Sequence, residues 1–396
     1  MSDKPEERNR KIARMKLINE YILEEERTQY RRKIVKVVEK LKSKGGINGA
    51  NTWELMNQLK GRKEERATSI WGKNGEVLEK REEIMERHKE YYSELLQRKQ
   101  AVTEEEKEIE TCVEECTETV LMIGAAADPI LTKREEVESC IATLKKRKCC
   151  DSKGWKNEHM IYGGEEMITS LLFMFNEMET HRTVPSDWDD MVIKSIHKKG
   201  PMQDMSKKRG LFLTDVVSKL YEKVLKGRNK QTIDNSVSGN QVGGKKERST
   251  PDQVILLADV VRRNRALGRK TYLIFGDAVK CFDKLWLRDC LLELYKSGVA
   301  PQDIYMLYML NKGANIKIRT PVGETDTFEC EEIVKQGTIW GPEMCCVTTD
   351  SINRIGEDCT SAIGNVLYGI LGYVDDVLGA GTAEKIRTCI RNMRRL

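Results

Sequence analysis

Two adjacent carboxylates inside an apolar run constrain this chain more than any other feature. The run is Leu367-Tyr368-Gly369-Ile370-Leu371-Gly372-Tyr373-Val374-Asp375-Asp376-Val377-Leu378-Gly379. Tyr, Val, Ile and Leu favour strands and Asp is depleted from strand interiors, so the run reads as a β-hairpin with the acids at its turn. Holding two acids against an apolar sheet is costly unless a cation meets them. Oxygen-only ligation suits Mg²⁺, which keeps some waters and binds through one or two carboxylates plus substrate phosphates. For an isolated pair, a surface hairpin with an acidic tip is the competing reading.

A second acid of the same kind decides between them. Thr271-Tyr272-Leu273-Ile274-Phe275-Gly276-Asp277 is an apolar strand pattern that ends in a carboxylate. A helical pattern follows Asp283, with Leu285, Leu287, Leu291, Leu292 and Leu294 on one face. If the two strands are neighbours, Asp277, Asp375 and Asp376 converge. Such a cluster suits two metal ions that clamp an in-line phosphoryl or nucleotidyl transfer.

Three motifs then resemble one family. Asp277-Ala278-Val279-Lys280-Cys281-Phe282-Asp283 resembles the first catalytic motif of reverse transcriptases from non-LTR (LINE-like) retrotransposons. Lys335-Gln336-Gly337-Thr338-Ile339-Trp340-Gly341-Pro342 resembles the Gln-Gly motif that follows it, and Tyr373-Val374-Asp375-Asp376 the Tyr-x-Asp-Asp box. The resemblance implies an α+β fold: right-hand polymerase fingers and palm, an antiparallel sheet with packed helices. It implies an RNA-directed DNA polymerase that joins a dNTP to a primer 3′-hydroxyl on an RNA template with a DNA primer. Two Mg²⁺ ions, or Mn²⁺ in their place, would be held by Asp277 and Asp375, with Asp376 as a supporting acid. Phe282, five positions after Asp277, would exclude a ribose 2′-hydroxyl, and core packing is its compatible alternative. Gln336 and Gly337 would lie beside the nascent base pair. Lys198 and Arg209, at the ends of two strand patterns, match the fingers residues that meet the triphosphate, where an ordinary basic loop is the alternative. Gln241, Gly243 and Arg248 match the family's Gln-x-Gly-Phe-x-x-x-Arg-Ser loop, expected to contact nucleic acid, with Gly244 in place of the Phe.

Composition adds limits. The chain has 396 residues, a net charge of only +5 and twelve cysteines. Local basic clusters, not global charge, must therefore make the case for nucleic acid. The cysteines show neither Cys-x-x-Cys spacing nor a His-linked set, so reduced thiols in an intracellular protein of cytoplasm or nucleus are expected. No secretion signal and no membrane span are evident. The composition is silent on oligomeric state.

Three regions are expected. Residues 1–125 read as charged and helical, with one helix over Met1–Lys44, a short one over Asn51–Lys60, a hairpin around Asn74-Gly75 and a helix over Glu79–Gln97 that carries His88 as a packed or solvated residue. Residues 126–270 read as fingers, opening on a helix capped by Thr132 and Glu135 and ended by Lys145–Lys148. Residues 271–396 read as a palm that stops twenty residues past Asp376, without a thumb. A grip on primer and template supplies much of a polymerase's affinity. A catalytically inactive, retrotransposon-derived fragment that only binds nucleic acid is accordingly the alternative to an active polymerase.

Overall fold

The computed structural model describes residues 69–98, 101–243, 245, 248–278, 280–355, 361–363, 366–368 and 370–393, with Glu24, Thr28 and Arg32 besides. The expected helices over Met1–Lys44 and Asn51–Lys60 lie outside the described residues. Contacts divide the chain between Arg66 and Ala67, and everything below concerns the unit Ala67–Leu396.

The unit is mixed α and β, as the sequence predicts. Strands β1 (Ile70–Trp71) and β2 (Val77–Leu78) form the small hairpin, turned at Gly75. A larger sheet holds β3 (Asp190–His197), β4 (Lys208–Leu213), β6 (Gly313–Thr320), β7 (Gly323–Glu324) and β8 (Phe328–Glu331). A smaller sheet has the order β11 (Ile370–Tyr373), β12 (Asp376–Gly381), β5 (Tyr272–Asp277). β9 (Ser361–Ile363) and β10 (Val366–Tyr368) pair with each other.

The larger sheet joins segments expected to lie in different regions. β3 pairs antiparallel with β4 and parallel with β6, with Ile193 opposite Ile318. Met191, Ile193, Phe212, Ile316 and Ile318 bury one face under the helix Arg81–Leu96, which adds Ile84 and Tyr92. A second core sets Phe175, Leu291 and Leu307 from three helices and Trp340 from a loop around Leu220 and Leu225 of the helix Val216–Ser236. The helix Glu104–Ala126 packs on Leu287–Lys296 and Pro301–Asn311. Elements from all three expected regions therefore pack on one another.

Local expectations shift in two places. The helix after Pro129 spans Arg134–Ala142, and it is Lys133 whose backbone N–H donates to Glu136 (2.7 Å). Thr132 does not cap it, because its hydroxyl accepts from Arg228 (2.9 Å). The helix also stops before Lys145–Lys148, so those cations lie beyond its last turn instead of on its dipole.

His88 is fully buried. Its Nδ1–H donates to Ile84 O (2.8 Å), which leaves Nε2 to accept from Lys208 Nζ (3.3 Å). Burial, then the Lys208 charge, pushes the imidazole down to about 4. Between that value and the ordinary 6.5 the unfolded chain binds the proton and the folded chain does not. Stability should therefore fall as pH drops from about 6.5 to about 4, by about 3 kcal/mol at ~1.4 kcal/mol per unit. Urea titrations across this range check it, since His88→Gln should remove most of that limb.

Candidate active site

The acids meet because of strand register. β11 and β12 form a tight hairpin closed by the pair Tyr373–Asp376, so Val374 and Asp375 are the turn. β12 pairs antiparallel with β5, and Asp376 lies directly opposite Asp277. Directly opposed residues put their side chains on one face, with Cβ atoms roughly 5 Å apart. Like charges so placed repel. Asp376 is raised above the usual carboxylate value by partial desolvation, then by Asp375 and Asp277, while Lys198 opposes the shift.

Asp277 and Asp375 line one cavity of about 480 Å³. The same cavity is lined by cations at and between the ends of β3 and β4: Lys198, Lys199, Lys207, Lys208 and Arg209. Antiparallel pairing sets Lys208 opposite His197 and Arg209 opposite Ile196, and Lys198 N–H donates to Lys207 O (2.9 Å). Burial lowers the Lys208 ammonium to about 8. Phe282 and Gln336 complete the lining among the residues expected from sequence. Phe282 also lines a second cavity of about 830 Å³, together with Lys280 and Asp283.

The other expected residues are placed differently. Asp376 does not line the cavity, nor does Gly337. Gly337 has φ +106°, and a Cβ there would stand 2.6 Å from Leu211 Cδ1, so its bareness serves packing on β4. Phe212 N–H donates to Gln336 O (3.0 Å), which fastens the Gln-Gly loop to the same strand. Gln241 is 1% exposed, and its amide is occupied by Val374 and Gly243. Gly243 backs onto Val374, where a Cβ would stand 2.4 Å from the amide nitrogen. Arg248 is exposed, just before the helix Thr250–Ala266.

Sequence reasoning missed several participants. Lys280 has φ +57°, lines the cavity, and donates to Tyr91 OH (2.8 Å) on the helix Arg81–Leu96. Asp283 also lines the cavity; burial raises its carboxyl, against Lys280 and Arg209. Beneath the Gln-Gly loop, Glu222 accepts the Ile339 and Trp340 N–H groups (2.6 and 3.3 Å). The fully buried Lys335 donates to Leu310 O, and burial brings its ammonium down to about 8. Lys280, Asp283 and Lys335 had a visible signal, their places inside the Asp277 and Gln-Gly motifs. Glu222 depends on contacts between distant segments.

The donor set bears on metal binding. Among the described residues no three acid, Cys or His side chains close into a metal cage. Asp277 and Asp375, on a cavity that Asp283 also lines, fit Mg²⁺, which completes its shell with waters and substrate phosphates. They do not fit a dedicated protein cage of the zinc type.

A family model for reverse transcriptase (RNA-dependent DNA polymerase) matches residues 196–395, just over half of the chain. The match spans Asp277, Phe282, Gln336, Asp375 and the cationic strand ends. With the sheet and cavity described above, it establishes that the chain belongs to the reverse transcriptase (RNA-dependent DNA polymerase) family.

Proposed function

We propose that this chain is the fingers-and-palm part of an RNA-directed DNA polymerase from a non-LTR, LINE-like retrotransposon, and that it extends a DNA primer on an RNA template. One observation carries the reading. Asp277 and Asp375, distant in sequence, share a cavity that Lys198, Lys207, Lys208 and Arg209 also line. A dNTP–metal complex needs that combination: carboxylates for divalent cations and fixed cations for the triphosphate. Mg²⁺ held between Asp277 and Asp375 would lower the cost of deprotonating the primer hydroxyl and brace the leaving pyrophosphate.

The chain's own residues supply placement. Arg209 and Lys198 balance the triphosphate charge. Phe282 closes the pocket where a ribose 2′-hydroxyl would project. Gln336 Oε1 is buried without a partner in the chain, an acceptor for which a bound ligand would supply the donor. The LINE-like assignment is supported by the Asp277 and Gln336 motifs and by the small hairpin and Tyr91-Tyr92 helix ahead of them. The substrates belong to nucleus and cytoplasm, which is where this reading puts the protein.

The test is primer extension on an RNA template with Mg²⁺ or Mn²⁺, run beside Asp375→Ala. Extension by wild type alone supports the reading. Extension by neither leaves a chain that binds nucleic acid or is inert. Phe282→Ala adds a specificity arm. It should raise ribonucleotide incorporation relative to deoxynucleotide by about tenfold or more, since shape exclusion in an apolar pocket is worth roughly 1–3 kcal/mol. Unchanged sugar discrimination would remove Phe282 from that role.

A further inference from the structure

We infer that Gln241 is a positioning residue for the acidic turn: its side-chain amide holds Val374 in the conformation that presents Asp375 to the cavity. The inference rests on the two-metal reading above and deepens it.

Gln241 engages both sides of one peptide residue. Its Nε2–H donates to Val374 O (3.0 Å), and its Oε1 accepts Val374 N–H (2.9 Å). The same Oε1 accepts Gly243 N–H (3.1 Å). Val374 needs such a hold, because it has φ +58° and is β-branched, a combination the backbone avoids. Thr349, on the helix Gly341–Ile355, donates a second hydrogen bond to Val374 O (3.0 Å).

The clamp is itself anchored to the hairpin. Val242 N–H donates to Gly372 O and Gly372 N–H to Asn240 O, both at 3.0 Å, a short parallel bridge beside β11. Gln253, from the helix Thr250–Ala266, donates to the same Gly372 O (2.7 Å). Gly243 then approaches Val374 more closely than any side chain would allow.

The geometry explains the need. Asp375 follows Val374, so the Val374 backbone angle aims Asp375. The mutual repulsion of Asp277, Asp375 and Asp376 favours any relaxation that spreads them. A bidentate amide that both donates and accepts opposes that relaxation before a metal arrives. Functional groups must be held to within about 0.5 Å for productive geometry. At 1% exposed, Gln241 offers its amide almost no surface for template contact.

The probe is Mn²⁺ alone, titrated into the full chain by electron paramagnetic resonance of the free ion. The component removed by Asp375→Asn marks the site. Gln241→Met keeps length but loses all three hydrogen bonds, and it should weaken that component by about 10- to 100-fold, the usual effect of removing a group that orients a metal ligand. Val374→Gly adopts a positive φ without strain. Added to Gln241→Met, it should restore most of the lost affinity, which a general loss of folding would not permit. If Gln241→Met does not fold, Gln241→Asn replaces it: it keeps an uncharged amide one methylene short of Val374 and should show a smaller loss with the same rescue. Wild-type Mn²⁺ affinity in the folded Gln241 variant, or a loss that Val374→Gly leaves untouched, overturns the clamp alone. Mn²⁺ binding that ignores Asp375→Asn overturns the two-metal reading and the clamp with it.

Discussion

Asp375→Asn should abolish primer extension and leave the protein at least as stable as wild type. The substitution keeps shape and removes one charge from a cavity that Asp277 also lines. Metal-stabilised charge in such a transfer is worth several kcal/mol at the transition state. At ~1.4 kcal/mol per tenfold, the loss should be about 10³-fold or more. Stability should move the other way. Asp376 is held above its ordinary value in part by the Asp375 and Asp277 charges, so the folded chain carries like-charge repulsion that the variant relieves. Asp277→Asn should behave alike. The opposite directions of activity and stability mark acids kept for chemistry at a cost to the fold. Extension assays beside thermal melts check both halves. Residual activity within about tenfold of wild type would remove Asp375 from the chemistry. A large fall in Tm would make it a structural acid.

Arg228→Leu should destabilise the chain by about 3–5 kcal/mol, the usual result of removing one partner from a buried charge network. Arg228, on the helix Val216–Ser236, donates to Glu136 (2.9 Å), Glu179 (3.0 Å), Asp303 (3.3 Å) and Thr132 (2.9 Å). It thereby ties three segments to its own helix through one guanidinium. Glu179 and Asp303 are 0% and 1% exposed. Burial already raises both carboxyls, and without the guanidinium they rise further. A carboxyl whose folded value exceeds its unfolded value loses stability as pH climbs above the unfolded value. The deficit of Arg228→Leu should therefore be larger at pH 7 than at pH 5. Tyr221 and Asn229, which donate to Glu179 (2.8 Å) and Asp303 (2.5 Å), cannot replace the charge. Urea unfolding at the two pH values reads this out. A change under about 1 kcal/mol at pH 7 would mean the network is solvated in solution.

Much of the architecture is legible from the chain alone because it is written in short-range pattern. Strand propensity broken by Asp marks the ends of β5 and β11, and the apolar spacing of Leu287, Leu291 and Leu294 marks a helix face that is indeed buried. The cationic strand ends at Lys198 and Arg209 are likewise visible as sequence, and the structure brings both to the cavity. Such features depend on neighbours within one turn or one strand, where propensity and periodicity act.

Other features arise only when distant segments meet. Nothing local specifies that Asp376 pairs with Asp277, that β6 lies parallel to β3, or that Thr132 is taken by Arg228 instead of capping a helix. Gln241 shows why. As a motif it suggests a contact with nucleic acid, yet folding closes Val374 over its amide and leaves it almost no exposed surface. Hydrogen-bond partners and burial are properties of the packed chain, and a residue's chemistry is settled by whichever partner the long-range contacts deliver.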